Sequence, residues 1–394
     1  MHRVRDPIHG MVELRPVEAA LIDTRAFQRL RRIKQLGLTH LVYPGAEHSR
    51  FTHSIGACHV AGMLAENLER HGWQGSVEEV RVATLLHDLG HPPFSHAGEG
   101  GVPHEAMTRL LVQSGEIAAV LADFGFDPSR IAALTAGGGD PVGGALVSGQ
   151  LDADRMDYLL RDARMCGVRY GEYDLPRLVE CIVPGPDGGV AVLRKGLHAV
   201  EGLLLARYSM FQQVYFHRTR RALDLLLARV IPAWPVDPEE FLEWDDARAG
   251  ELLRVDSRAE ARAVWERRVP TCVVELEVSG DPAARDEADT IAARLRERLP
   301  SPPLVDSSAS LTTFRPDGDI PILDGDRARS VFLASPVLRR MDPHVEVRRI
   351  YVEPAHAEQA RQEIAQTRGQ RSEEHTSELQ SHSDLVCRLL LEKK

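Results

Sequence analysis

His87, Asp88 and His91 lie together in the run Ala83-Thr84-Leu85-Leu86-His87-Asp88-Leu89-Gly90-His91. The run reads as a buried helix ending at the glycine, because Leu85, Leu86 and Leu89 are apolar neighbours that pack such a turn into a core. Burying a carboxylate without a partner is costly, and a bound cation offsets that cost. Imidazole and carboxylate together suit Mn, Fe, Zn or Mg. A lone His-Asp pair also fits a helix cap or a solvated turn, so further donors must decide. Upstream, Glu47-His48-Ser49-Arg50-Phe51-Thr52-His53-Ser54 enters a helix that continues through Ala57, Val60, Ala61 and Leu64. Downstream stands Leu151-Asp152-Ala153-Asp154-Arg155-Met156-Asp157-Tyr158.

The order His, His-Asp, Asp resembles the ligand pattern of the HD phosphohydrolase superfamily. The resemblance implies a divalent metal held by His53, His87, Asp88 and Asp154. Such a set leaves positions open for water and a phosphate oxygen, as in a catalytic rather than a closed structural site. Asp6 to Gly10, Phe27 to Gly37, Arg50 to Ser54, His87 to His96 and Asp152 to Asp162 further resemble the deoxynucleoside triphosphate triphosphohydrolase branch, over roughly the first 230 residues. That branch converts a deoxynucleoside triphosphate to deoxynucleoside and inorganic triphosphate. One member joins a SAM module to its HD domain, and none is expected ahead of this one.

The same resemblance distributes roles. His104, opening a helix with Met107, Leu110 and Leu111 inward, matches the catalytic histidine, a general acid to the leaving 5′-oxygen. Glu99 stands where the branch has an Asp that supports it. Asp88 serves catalysis as a metal ligand. His91 and His96 match residues beside the α-phosphate. Arg50, Arg155 (often Lys in the branch) and Arg207 match phosphate contacts. Gln35 matches a residue bonding the sugar 3′-hydroxyl, and Leu36 one that leaves no room for a 2′-hydroxyl, by clash and desolvation. Tyr158 and Asp162 match contacts to the 3′-hydroxyl, and Tyr215 a base-stacking residue near His217. Phe211 replaces a His. Arg5, Asp23, Gln28 and Arg31, with Arg3, match an allosteric nucleotide site at a subunit interface, with Arg5 in place of an Asn. Each has a plainer reading: Leu36 as helix core, Arg50 as a surface ion pair, Arg31 as a solvated face, His104 as a loop histidine. The order of the motifs favours function.

Positioning these groups takes a large core, and 394 residues at 43% hydrophobic content allow one in one or two domains. The net charge of −10 supplies no global basic field for nucleic acid, although Arg25 to Lys34 and Arg218 to Arg221 are locally basic. Five cysteines at irregular spacing point to a reducing compartment, so a cytoplasmic protein is expected. No apolar signal region or membrane-spanning run is present. The expected fold is mainly α: an HD-domain helical core over 1–231, then a small C-terminal α+β lobe over 232–370.

Met1 to Leu14 reads as extended with a Pro7/Gly10 turn, and Pro16 begins a helix. A second helix starts near Asp23-Thr24 and carries Phe27, Leu30, Ile33 and Leu36 to a stop at Gly37. Cys181 to Val183 pairs with a strand at Val190 to Leu193, and a long helix runs from Leu197 to about Val230. In the lobe, Thr271 to Val278 and Val345 to Val352 read as strands, with helices at Asp281 to Leu299 and Ala355 to Gln366. Residues 371–394, including Cys387, resemble a translated sequencing-adapter read-through and carry no weight for fold or function; the natural C-terminus would then be missing. The rival readings are another HD phosphoesterase, for a nucleoside monophosphate or cyclic dinucleotide, and a non-catalytic nucleotide sensor. A homo-oligomer and an activating nucleotide are expected from the branch.

Overall fold

The computed structural model describes residues 2–99, 103–234, 237–241, 243–310, 319–325, 327–341 and 345–369. The tail at 371–394 and part of the glycine-rich loop, 100–102, lie outside the described residues. The chain divides into two compact units. The first comprises Met1–Arg268 with Ser310–His344, and the second Val269–Ala309 with the chain from Val345. The division therefore falls beyond the expected boundary at 231/232, and one segment of the expected lobe returns to the first unit.

In the first unit, β1 (His2–Asp6) and β2 (Gly10–Leu14) form an antiparallel hairpin. Next come α1 (Pro16–Ile22) and α2 (Arg25–Arg29), the latter capped by the Thr24 side chain. This second helix is shorter than the apolar spacing suggested. It tightens to a 3-10 turn at Leu30–Arg32, and Ile33 is extended. Lys34 then bridges to Ser49, so Gln35 and Leu36 sit on a bend rather than a helix face.

The central helix α3 (Arg50–Arg70) is buried along most of its length. Against it pack α4 (Val77–Leu86), started by a Ser76 cap, and α9 (Ala153–Cys166), started by Asp152 and stopped at left-handed Gly167. Between them run α5 (His104–Val112), α6 (Gly115–Asp123), α7 (Pro128–Thr135) and α8 (Pro141–Val147). Phe51, Ile55, Leu64, Leu85, Leu86, Leu89, Met156 and Leu159 belong to one continuous apolar core around these helices.

α10 (Leu175–Cys181) leads into the antiparallel pair β3 (Ile182–Pro184) and β4 (Val190–Leu193). The expected long helix is interrupted: α11 (Leu197–Met210) loosens into a π-helical turn at Phe211–Tyr215 before α12 (Arg218–Val230). Such turns recur at functional sites. Three more helices follow, α13 (Pro238–Phe241), α14 (Asp246–Val255) and α15 (Ala259–Trp265).

The second unit holds β5 (Thr271–Glu277), α16 (Pro282–Arg298) and β6 (Leu304–Ser310). The chain then returns to the first unit as β7 (Pro321–Asp324) and β8 (Arg327–Ser330), with β7 lying parallel to β4. β9 (Val345–Val352) goes back to the second unit between β5 and β6, and a helix over 357–369 follows. Val274, Ile291, Leu295, Ile350 and Ile364 form that unit's own core, the expected α+β architecture.

Candidate active site

α4 ends at Leu86, short of the expected stop at Gly90, so His87 and Asp88 stand in the turn after it. His53 comes from the first turn of α3 and Asp154 from the first turn of α9. Their donor atoms converge. His53 Nε2 lies 3.0 Å from Asp154 Oδ1 and 3.6 Å from Asp88 Oδ2. His87 Nε2 lies 3.5 Å from Asp154 Oδ1 and 3.3 Å from Asp88 Oδ1.

Both Nε2 atoms are buried and make no hydrogen bond. Buried imidazole nitrogens are normally satisfied, and here two face two carboxylates. The residues therefore fit a divalent cation, and His53, His87 and Asp154 are close enough to share one. Burial disfavours the His53 imidazolium, but Asp154 and Asp157 outweigh it and lift it to about 10. A cation that binds here displaces that proton. Burial also opposes the charge of Asp88, yet Arg50, His87 and His91 hold its carboxyl well below the usual range.

A cavity of about 440 Å³ opens beside these ligands. It is lined by Gln35, Leu36, Arg50, His91, His96, His104, Arg155, Tyr158, Asp162, Arg207 and Tyr215, together with His87, Asp88 and Asp154. Every substrate residue expected from the sequence is thus in one wall. His53 sits behind the wall, fully buried. Glu99 is outside it, where its Oε1 contacts His104 Nδ1 at 2.9 Å and His96 Nδ1 at 2.7 Å. Burial works against the Glu99 charge, but both histidines outweigh it and bring the carboxyl down to about 2. His91 and His104 stack with ring centroids 3.7 Å apart. Burial and Arg50 push the His91 imidazolium well below its ordinary value, which favours the neutral ring.

The arginines differ in what they have left to offer. Arg50 is no surface ion pair: it is buried, and its guanidinium holds Asp88, Ser95 Oγ and the Gln35 carbonyl. It orients a cation ligand rather than presenting a free fork. Arg155 is tied to Asp152 at 2.9 Å. Arg207 is also buried, and its Nε and Nη1 have no hydrogen-bond partner. Gln35 Oε1 is likewise buried without one. Asp162 accepts from Tyr215 Oη at 2.7 Å and contacts His48 Nε2 at 2.8 Å. His48, which belongs to none of the expected sites, therefore fixes a wall residue.

Other supports were equally unforeseen. Phe94 and Ser95 both adopt left-handed backbone, at φ 62° and 57°, a strain that must be held from outside. Asp246 accepts from Phe94 N at 2.8 Å and Lys34 N at 2.9 Å, while Ser95 Oγ donates to the Lys34 carbonyl at 2.6 Å. Arg29 donates to the carbonyls of Leu89 and His91, both at 2.9 Å, pinning the turn after Asp88. Asp246, the first residue of α14, lies in a segment that the sequence reading assigned to the lobe.

None of the residues expected at an allosteric site, Arg5, Asp23, Gln28 and Arg31, lines this cavity. Arg5 and Asp23 are exposed. Arg31 Nε donates to Gln28 Oε1 at 2.7 Å, and its guanidinium lies 3.5 Å over the Phe51 ring. Among the described residues no hydrogen bond or ion pair joins Arg5 or Asp23 to that pair. No helix among the described residues is long and apolar enough to cross a membrane.

The comparisons with known proteins agree with this geometry. Residues 50–161 match the HD domain and 173–271 the HD associated region. An uncharacterized protein of Methanocaldococcus jannaschii is 39% identical over 263 residues, covering 65% of this chain and 55% of the relative. The Dictyostelium discoideum homolog of deoxynucleoside triphosphate triphosphohydrolase SAMHD1 is 31% identical over 302 residues, covering 68% and 57%. The chain spans about half the length of the curated relatives it matches. A hypothetical protein from Aquifex aeolicus superposes with a TM-score of 0.83 at 31% identity, covering 92% of this chain and 99% of that one. With the domain matched from Arg50 through Arg161, its associated region following, and the His and Asp donors gathered at a cation site, the chain belongs to the HD-domain phosphohydrolase family.

Proposed function

We propose that the protein hydrolyses deoxynucleoside triphosphates to deoxynucleoside and inorganic triphosphate. The observation that carries this reading is Arg207, a buried guanidinium with unpartnered nitrogens in the same cavity as the cation ligands. A buried cation without a partner is costly, and a polyphosphate chain supplies the partner. The name of the Dictyostelium relative supports that substrate class.

When bound, the divalent cation supplies Lewis-acid chemistry, offsetting phosphate charge and making water a better nucleophile. His53, His87, Asp88 and Asp154 hold it. Arg207 and Arg155 take the phosphates, and neutral His91 with His96 lies beside the reacting one. His104 has Nδ1 on the Glu99 carboxylate, which leaves Nε2 as the atom that hands a proton to the departing 5′-oxygen. Gln35 Oε1 accepts from the sugar 3′-hydroxyl, and Leu36 closes the space that a 2′-hydroxyl needs. Tyr215, held by Asp162, stacks on the base. Gln28 and Arg31 form the polar face on which an activating nucleotide would act.

The test is product analysis with Mn, offering single dNTPs and a mixed pool. Free deoxynucleoside with intact triphosphate establishes the reaction. Activity in the mixed pool alone adds the activator. Phosphate or pyrophosphate release instead, or turnover confined to monophosphates or cyclic dinucleotides, refutes it.

A further inference from the structure

The cation ligands leave one buried polar network unexplained, and it reaches the N-terminal hairpin. His9, at the hairpin turn, contacts Asp157 Oδ1 through Nε2 at 2.6 Å. Asp157 Oδ2 contacts His53 Nδ1 at 2.8 Å. Arg161 holds both oxygens of the same carboxylate, at 2.7 and 2.8 Å, and extends Nη1 to Asp6 Oδ2 at 2.9 Å. Asp6 in turn accepts from the backbone N–H of Ile8 and His9 at 2.8 and 2.9 Å, which fixes the turn itself. The side chains of His9, Asp157, His53, Arg161 and Asp6 are between 0% and 5% exposed. Gly56 of α3 makes the room, since a Cβ there would lie 2.1 Å from both Arg161 Nη2 and Asp157 Oδ1.

An ionised carboxylate only accepts hydrogen bonds. Both imidazoles must therefore donate to Asp157, His9 from Nε2 and His53 from Nδ1. Once a cation has displaced the second proton, the Nδ1 bond leaves the His53 Nε2 lone pair toward Asp88, His87 and Asp154. Outer carboxylates of this kind orient a ligating histidine and raise its basicity.

We propose that His9 is a positioning residue for the cation: by holding Asp157 it sets the His53 ring, so the seating of the hairpin and the affinity for the cation are linked. The inference rests on the cation site described above. Linkage is reciprocal, so cation binding also steadies the turn at Ile8 and His9.

The test uses chelator-stripped full-length protein and Mn²⁺ titrated by calorimetry. His9→Ala should weaken Mn²⁺ binding about ten- to a hundredfold, because the carboxylate loses the donor that sets its angle to His53, while the Arg161 bonds to Asp157 and Asp6 keep the variant folded. His9→Gln should restore most of the affinity, because its amide N–H reaches where Nε2 stands; His9→Asn, which is shorter, should not. The Gln–Asn contrast also decides the matter should the Ala variant fail to fold. Mn²⁺ should slow amide hydrogen exchange at Ile8 and His9 in the wild type. Ala binding within twofold of wild type, or Gln no better than Asn, overturns the role of His9 and leaves the cation site standing. A wild type that takes up no Mn²⁺ overturns the site itself.

Discussion

Arg207→Met separates stability from ligand binding and gives the sharpest test of the cavity. In the free protein Arg207 is 8% exposed, and its buried Nε and Nη1 are unpartnered. Burial pushes its pKa below the ordinary arginine value. Each unsatisfied buried polar group costs about 1–3 kcal/mol. Methionine keeps most of the packing volume against Phe211 and removes that cost. The free variant should therefore be as stable as the wild type, or more so by about 1–3 kcal/mol.

Binding should move the other way. Losing a charge-assisted phosphate contact costs about 2 kcal/mol, a factor of about 30 in affinity. At a triphosphate concentration of about 100 Kd the wild type gains about 2.7 kcal/mol. At the same concentration the variant sits near 3 Kd and gains about 0.9 kcal/mol. Thermal or urea unfolding with and without inorganic triphosphate reads both quantities. A variant that is clearly less stable when free, or that keeps the full triphosphate stabilisation, refutes the argument that Arg207 is held for an anion.

Asp154→Ala should abolish both Mn²⁺ uptake and turnover, whereas His104→Ala should keep the metal and lose turnover about a hundredfold or more; elemental analysis beside the rate assay checks both. Glu99 has a folded-state carboxyl depressed from 4.5 to about 2, so it adds stability above its unfolded pKa that is lost as pH falls from there toward about 2. Glu99→Gln should flatten stability over that window and leave it unchanged in slope near neutrality, as acid titration of unfolding will show. Gly56→Ala gains about 1 kcal/mol of helix propensity but drives a Cβ into the buried Arg161–Asp157 pair, whose disruption costs about 3–5 kcal/mol. A net loss of about 2–4 kcal/mol by denaturant unfolding is expected, with weaker Mn²⁺ binding, and a stabilised variant would show that the pair has room to move.

Local order carried much of this protein in its sequence. The His-Asp pair, the helix opening at His104 and the strand at Val345–Val352 follow from spacing and apolar period, which act over a few residues. The motif order singled out His53, His87, Asp88 and Asp154, whose donor atoms lie close together, and residues that line the cavity beside them. What the sequence could not show were partners far apart along the chain. His53 and Asp157 are separated by 104 positions, and His9 and Asp157 by 148. No periodicity relates such residues; only the packing of α3 against α9 and the hairpin brings them together. The same holds for Arg50, whose charge was legible but whose commitment to Asp88 was not, and for Gln35 and Leu36, which the apolar spacing put on a helix. There Ile33 and Lys34 leave the helix because Ser49, Asp246 and Arg50 offer backbone partners from elsewhere. The second helix stops earlier than its apolar spacing suggests because tertiary hydrogen bonds override local propensity wherever buried backbone must be satisfied. Residue types and their order thus determined which chemistry the chain can hold, and the tertiary structure decided which charged groups are already paired and which, like Arg207, are left for a ligand.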